Sequence, residues 1–91
     1  MRGKKIDMDL VAKYQIAIEE EFVKATRRYG EFNSDHEGFA VLREEVDELW
    51  DSVKLKQTHP ERNILMEKEA IQVGAMALRF LHDMRKRNDR I

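Results

Sequence analysis

The chain has 91 residues, enough for one domain spanning residues 1–91 with a limited hydrophobic core. Its 17 basic and 18 acidic residues nearly cancel, which argues against a general affinity for nucleic acid or for an anionic membrane surface. The absence of cysteine excludes disulfides and thiolate zinc sites, and we find no signal peptide or membrane-spanning run, so we expect a cytoplasmic protein.

The first predicted helix begins near Asp7 or Asp9, because either side chain can cap the free amides of a helix N-terminus. It ends at Gly30. Its apolar residues recur every three or four positions, as expected for one helix face. They are Leu10, Tyr14, Ile18, Phe22, Ala25 and Tyr29.

The second predicted helix begins after Ser34, which has the spacing of a capping box with Glu37, and runs to about Gln57. Its apolar stripe predicts a face packed in the core. The stripe consists of Phe39, Leu42, Val46, Leu49, Trp50 and Val53.

The third predicted helix follows the break at residues 58–61, with Pro60 near its first turn, and extends to about Arg87. More than half of its circumference is apolar between residues 70 and 81, so we expect burial on two sides. The small residues Ala70, Gly74 and Ala77 share a face that would admit another helix closely. We therefore predict an all-α fold of three long helices, forming a bundle completed by homo-oligomerisation as a homodimer or homotetramer; a monomer with an alanine-rich core is the alternative.

Two pairs of polar residues have the spacing of one helical turn: Glu45 with Glu48, and Glu69 with Gln72. At about 100° per residue, each pair flanks the apolar stripe of its own helix. If the two helices pack antiparallel, as a short connection favours, the pairs converge. If these carboxylates are buried together, they need a cation or protons to neutralise them. The alternative interpretation is that they belong to an ordinary solvated surface, since 38% of the residues of this chain are charged.

Oxygen ligands without cysteine favour a hard cation, Mg²⁺ or Mn²⁺, and such a metal suggests phosphate chemistry. A di-iron site is disfavoured because it requires Glu-x-x-His motifs, and the residues three before the histidines are Asn33, Lys56 and Arg79. The histidines are expected at helix ends or on the surface. The chain also lacks a Gly-rich phosphate loop and any candidate covalent nucleophile.

At these residues the sequence resembles the MazG-like, all-α nucleotide pyrophosphohydrolases, whose signature is Glu-x-x-Glu on one helix and Glu-x-x-Asp on a later one. The first half matches at Glu45 and Glu48, followed by Leu49. The second half matches at Glu69, with Gln72 in place of the usual aspartate and an apolar run of small residues after it. The resemblance covers about residues 34–84.

The resemblance implies magnesium-dependent cleavage of a nucleoside triphosphate between its α and β phosphates, giving a monophosphate and pyrophosphate. Carried over by position, Glu45, Glu48, Glu69 and Gln72 would be metal ligands, and Glu45 or Glu48 would act on the attacking water. The amide of Gln72 brings no negative charge, so it should weaken the site or reduce the number of ions held.

Two cations are candidate substrate-binding residues: Arg79, on the flank that carries Glu69 and Gln72, and Lys54, beyond Glu48. The aromatic residues available to bind a base are Trp50, Phe39 and Tyr14, although all three occupy core stripes. Two other functions stay open: a non-catalytic helical interaction module of the same fold, and a nucleic-acid accessory protein using the basic tail at residues 85–90.

Overall fold

The computed structural model describes residues 4–89, which form three α-helices and no β-strand. They are α1 (Met8–Tyr29), α2 (Asp35–Val53) and α3 (Arg62–Asp89). The all-α prediction is therefore confirmed for this part of the chain. None of the three helices combines the length and the apolar character needed to cross a membrane.

The predicted helix caps of α1 and α2 are present. The Asp7 carboxylate accepts a hydrogen bond from the Leu10 backbone N–H at 3.1 Å. The Ser34 hydroxyl accepts one from the Glu37 N–H at 3.0 Å. Gly30 ends α1 at a φ of 75°, in the region of backbone space that favours glycine. Capping is readable from sequence because both partners lie within one helical turn.

The connection between α2 and α3 differs from the prediction, since α2 ends at Val53 and not near Gln57. The guanidinium of Arg62 donates two hydrogen bonds to the Val53 carbonyl oxygen, at 3.3 and 3.1 Å. This satisfies a carbonyl that the end of α2 leaves without a helical partner. Pro60 lies in the turn before α3, and α3 continues two residues past Arg87, to Asp89.

Helix α3 lies between the other two, and α1 and α2 each pack on it without packing on each other. α2 runs antiparallel to α3: Gly38 lies beside Phe80, and Arg62 bonds to Val53. α1 runs in the same direction as α3, with Tyr14 bonded to Glu67 and the Phe22 ring 5.3 Å from that of His82. The space between α1 and α2 is therefore an open cleft with α3 as its floor.

The close helix approach expected at the small residues of α3 occurs at Gly74. A Cβ atom there would lie 2.8 Å from Ile18 Cδ1, so the approaching helix is α1 of the same chain. Among the described residues, few hydrophobic side chains are buried, and they lie around the middle of α3. They are Ala25, Phe32, Ala75 and Met76, with Phe22, Val41 and Leu42 packed against them.

The prediction that the whole apolar stripe of α2 is buried is wrong for a single chain. Phe39, Val46 and Trp50 are 57%, 43% and 58% exposed. Helix α3 covers one side of α2, and no other helix covers the rest. On α1, Leu10 and Tyr29 of the predicted stripe are also exposed. The burial of α3 on two sides is only partial, because Leu78 and Leu81 are exposed as well.

Polar side chains of α3 hold the connection between α1 and α2. The fully buried Asp83 carboxylate accepts a hydrogen bond from the Phe32 N–H at 2.9 Å. Arg87 donates to the Phe32 carbonyl oxygen at 2.9 Å, and Arg79 donates to that of Gly30 at 2.9 Å. These hydrogen bonds fix the α1–α2 connection against α3, and they therefore help to set the positions of the two helices that form the cleft walls.

The basic tail singled out in the sequence is engaged within the chain as far as it is described. Arg85 pairs with Asp89 at 3.2 Å, Lys86 with Glu31 at 2.9 Å, and Arg87 with Asp35. Residue 90 lies outside the described residues. One of these ion pairs lies within the end of α3, and the other two join α3 to Glu31 in the α1–α2 connection and to Asp35 at the start of α2.

Candidate metal centre

Three carboxylates converge on one side of α3. Glu45, Glu48 and Glu69 each offer an oxygen, and these oxygens lie within 4.8 Å of one another. α2 supplies the first two, one helical turn apart, and the antiparallel α3 supplies the third. We refer to Glu45, Glu48 and Glu69 as the acidic trio.

The trio carries buried oxygen atoms with no hydrogen-bond partner. They are Oε2 of Glu45 and Oε2 of Glu69. Within residues 4–89, no Lys or Arg nitrogen is in ion-pair contact with any of the three carboxylates. Buried acceptors without donors are costly, so the arrangement favours the uptake of protons or of a cation.

Burial and mutual repulsion change the proton affinity of the trio. Desolvation, followed by the charges of Glu48 and Glu69, raises the pKa of Glu45 from 4.5 to about 7. Desolvation and the charge of Glu48 also raise the pKa of Glu69, while the charge of Lys68 acts in the opposite direction. Near neutral pH, Glu45 is therefore divided between its protonated and ionised forms.

The trio lines a cleft of about 620 Å³ between α1 and α2. The α1 wall contributes Glu21, Lys24 and Arg28, and Lys68 of α3 lines the same cleft. None of these four residues was predicted to line the site. The three residues of α1 carry no local signal, because only the packing of α1 on α3 brings them into the same cleft as the trio, whereas Lys68 is the sequence neighbour of Glu69.

Gln72 lies in the same cleft, as its spacing from Glu69 predicts. Its side-chain Nε2 donates a hydrogen bond to Glu21 Oε1 at 2.5 Å. Glu21 does not belong to the group of carboxylates within 4.8 Å of one another. The amide at the fourth position of the motif is thus bonded to a carboxylate of α1 through its nitrogen.

The structure separates the two predicted substrate-binding cations. Arg79 lines the cleft but is only 3% exposed, with its guanidinium 4.1 Å from the centre of the Phe32 ring. Lys54 follows the end of α2, where its Nζ lies 3.1 Å from Asp51 and over the Trp50 ring, and it is not among the residues that line the cleft. The cleft therefore gives no support to the predicted role of Lys54 in substrate binding, which stays a prediction.

The aromatic residues offered for base binding also lie apart from the trio. Tyr14 donates its hydroxyl to Glu67, and Trp50 and Phe39 are exposed on α2. None of the three lines the cleft that contains the trio. The geometry therefore identifies no base-binding aromatic residue among them.

A second group of possible ligands contains Glu31, His82 and Asp83. Its oxygens and nitrogen already have protein partners: Asp83 accepts from Phe32 N and contacts His82 Nδ1 at 2.7 Å, and Glu31 pairs with Lys86. These contacts hold the α1–α2 connection. The group is therefore a structural cluster, in contrast to the acidic trio.

Comparison of the chain with protein-family models, with curated proteins and with solved structures finds no match. The resemblance to MazG-like enzymes stays an interpretation of the motif residues. The geometry of the cleft is accordingly the main indication of what the protein does.

The chemistry of the trio suits a hard divalent cation. Carboxylate oxygens from two rigid helices converge within the spacing needed to share one ion, and Gln72 adds an amide group nearby. A dication would neutralise the mutual repulsion and provide the partners that the buried Oε2 atoms lack. The residues present therefore fit Mg²⁺ or Mn²⁺.

Proposed function

We propose that the protein is a metal-dependent nucleoside triphosphate pyrophosphohydrolase, converting a nucleoside or deoxynucleoside triphosphate to the monophosphate and pyrophosphate. The observation that carries the proposal is the acidic trio with its buried, unpartnered oxygens at an open cleft. Glu45, Glu48 and Glu69 would hold Mg²⁺ or Mn²⁺, with the Gln72 carbonyl oxygen as the fourth ligand. Because nucleoside triphosphates are cytoplasmic metabolites, the proposal includes a cytoplasmic location.

The proposed reaction is an in-line displacement by water on the α phosphate. A cation held by the acidic trio would neutralise charge on the phosphate oxygens. Either Glu45 or Glu48 orients the attacking water and takes its proton, and Glu48 is the more accessible of the two because it is exposed. Lys24, Arg28 and Lys68 line the cleft and would contact the polyphosphate, whereas Arg79 lines the same cleft as a buried side chain.

A pyrophosphate-release experiment tests the proposed function. Purified protein with Mg²⁺ or Mn²⁺ should release pyrophosphate from at least one of a panel of nucleoside and deoxynucleoside triphosphates. Glu48→Ala should abolish the release while retaining the helical circular-dichroism spectrum. The matched control is Asp47→Ala, since Asp47 is an exposed acid of the same helix that contacts Arg43.

A folded protein that releases no pyrophosphate from any substrate would contradict this proposal. The alternative function, a non-catalytic helical interaction module, would then be favoured. The two are separated further by a titration with Mg²⁺, since the module should show no specific uptake that depends on Glu48.

We also propose that the protein forms a homodimer or homotetramer through the exposed stripe of α2 at Phe39, Val46, Trp50 and Val53. The chain exposes 7399 Å², whereas a compact monomer of 10.8 kDa exposes about 5,500 Å². The excess is larger than the roughly 800 Å² per partner that a standard interface buries. A second copy of α2 would cover apolar side chains that no helix of the same chain covers.

Sedimentation velocity tests the oligomer. We expect the unmodified protein to sediment as a dimer or tetramer and Val46→Glu to sediment as a monomer. Gln57→Glu, which adds the same single negative charge at an exposed position outside the stripe, is the control and should not change the mass. A monomeric unmodified protein at micromolar concentration would refute the proposed assembly.

A further inference from the structure

The hydrogen bond between Gln72 and Glu21 determines which end of the Gln72 amide is available to a ligand. A glutamine side chain has a donor end and an acceptor end, which differ little in shape. An ionised carboxylate can only accept hydrogen bonds. The amide group therefore presents Nε2 to Glu21 Oε1, at 2.5 Å, and its carbonyl Oε1 is left for another partner.

This orientation matters because Gln72 is the neutral member of the proposed ligand set. A carboxylate offers an anionic oxygen in either rotation of its terminal group, whereas an amide turned the other way would present N–H groups to the cation and repel it. Holding the amide by its nitrogen removes the unfavourable rotation before a cation arrives.

The packing of α1 on α3 makes the contact possible. Ile18 lies against Gly74, where a Cβ atom would come within 2.8 Å of its Cδ1. Glu21 follows Ile18 by one turn of α1, and Gln72 precedes Gly74 by two residues. The lack of a side chain at Gly74 therefore lets α1 come near enough for Glu21 to reach Gln72. Both partners are partly buried, which limits competition from water.

We propose that Glu21 is a positioning residue for the metal centre: it orients the Gln72 amide so that Oε1 faces the cation. The inference rests on the metal site of the proposed function. It assigns to Glu21 no direct contact with the metal, because its carboxylate lies outside the acidic trio. It explains how a chain with glutamine at this position retains a usable fourth ligand.

The test is a calorimetric titration with Mn²⁺ at pH 8, where Glu45 is mainly ionised. Glu21→Asp keeps the negative charge but is one methylene too short to keep the bond to Gln72. We expect Glu21→Asp to weaken Mn²⁺ binding roughly tenfold, as loss of a partner that orients a ligand does. Glu20→Asp, the same change at an exposed neighbour on α1, should leave the affinity unchanged.

Repeating the Glu21→Asp substitution in a Gln72→Asp protein separates the effect of orienting the amide from the effect of the Glu21 charge. In Gln72→Asp the fourth ligand is a carboxylate that needs no orientation, so Glu21→Asp should then change Mn²⁺ affinity by less than about twofold. If Glu21→Asp leaves affinity unchanged in the original chain, or weakens it equally in both backgrounds, the inference is overturned. Unfolding midpoints of all variants, measured without metal, confirm that each protein is folded.

The titration also distinguishes this inference from the proposed function. If Mn²⁺ binds with the expected dependence on Glu21 and no triphosphate is cleaved, the inference stands and the enzymatic activity is refuted. If the unmodified, folded protein takes up no Mn²⁺, both are refuted. If triphosphate is cleaved and Glu21→Asp leaves Mn²⁺ affinity unchanged, only the inference is refuted.

Discussion

The carboxylate of Asp83 on α3 accepts a hydrogen bond from the Phe32 backbone N–H, across a 2.9 Å contact between residues 51 positions apart. Asp83 is fully buried, and its other oxygen lies 2.7 Å from His82 Nδ1. The contact joins the C-terminal part of α3 to the connection between the two cleft walls. The geometry of the proposed metal centre therefore depends on a residue that contacts no member of the acidic trio.

Replacing Asp83 should destabilise the protein strongly. Asp83→Ala leaves the buried Phe32 N–H without an acceptor, which we expect to lower the free energy of unfolding by about 2–4 kcal/mol. Urea denaturation followed by circular dichroism measures the change. Asp89→Ala, which removes only an exposed ion pair with Arg85, should cost less than about 0.5 kcal/mol. Equal effects for the two variants would contradict this role of Asp83.

The stability of the metal-free protein should depend on the ionisation of Glu45. Its pKa is raised from 4.5 to about 7, so between these values the folded chain binds more protons than the unfolded chain. Its contribution therefore favours folding below pH 4.5 and is lost as the pH rises through 7. We expect Glu45→Gln to be more stable than the unmodified protein at pH 8 by about 1–2 kcal/mol, because the carboxyl is partly solvated. Denaturant titrations in EDTA at pH 5 and pH 8 measure the difference, which should nearly vanish at pH 5.

Magnesium should offset the loss of stability that ionisation of Glu45 causes. Binding only to the folded chain at 100 times the dissociation constant stabilises it by about 2.7 kcal/mol, or roughly 10–20 °C in unfolding midpoint for a domain of this size. We expect such a shift at pH 8 and a much smaller one at pH 5.5, where protons compete for Glu45. Differential scanning fluorimetry with Mg²⁺ and then EDTA measures it. Glu48→Ala should lose the shift and Asp47→Ala should keep it; a shift of the same size in both variants would place the ion elsewhere.

The close approach at Gly74 predicts coupling between α1 and α3. Gly74→Ala gains about 1 kcal/mol of helix propensity, but its Cβ would lie 2.8 Å from Ile18 Cδ1, and crowding of this kind costs about 1–3 kcal/mol. We expect net destabilisation by about 1 kcal/mol. In an Ile18→Val background, which lacks that methyl group, Gly74→Ala should be neutral or stabilising. A double-mutant cycle of unfolding free energies measures the coupling, and additive effects would show that the two helices are not in contact there.

The local features of the fold could be predicted from the sequence. The caps at Asp7, Ser34 and Gly30 involve partners within one helical turn; Ser34 and Gly30 lie where they were predicted, and Asp7 is one of the two predicted candidates for α1. The convergence of Glu45 and Glu48 with Glu69 also follows from spacing, once a short connection makes α2 and α3 antiparallel. Such contacts can be predicted because helix geometry alone determines the relative positions of the residues.

The contacts that could not be predicted join residues far apart in sequence. The apolar period of α2 does not specify how many helices cover its stripe, so the exposure of Phe39, Val46 and Trp50 depended on tertiary packing. The position of Glu21 beside Gln72 likewise depended on the direction of α1 and on the missing side chain at Gly74. Helix content, helix caps and the spacing of the acids could be predicted because they are properties of single helices, although the end of α2 at Val53 was missed. Which faces are buried and which polar groups meet could not be predicted, because they depend on how separate helices share a limited core.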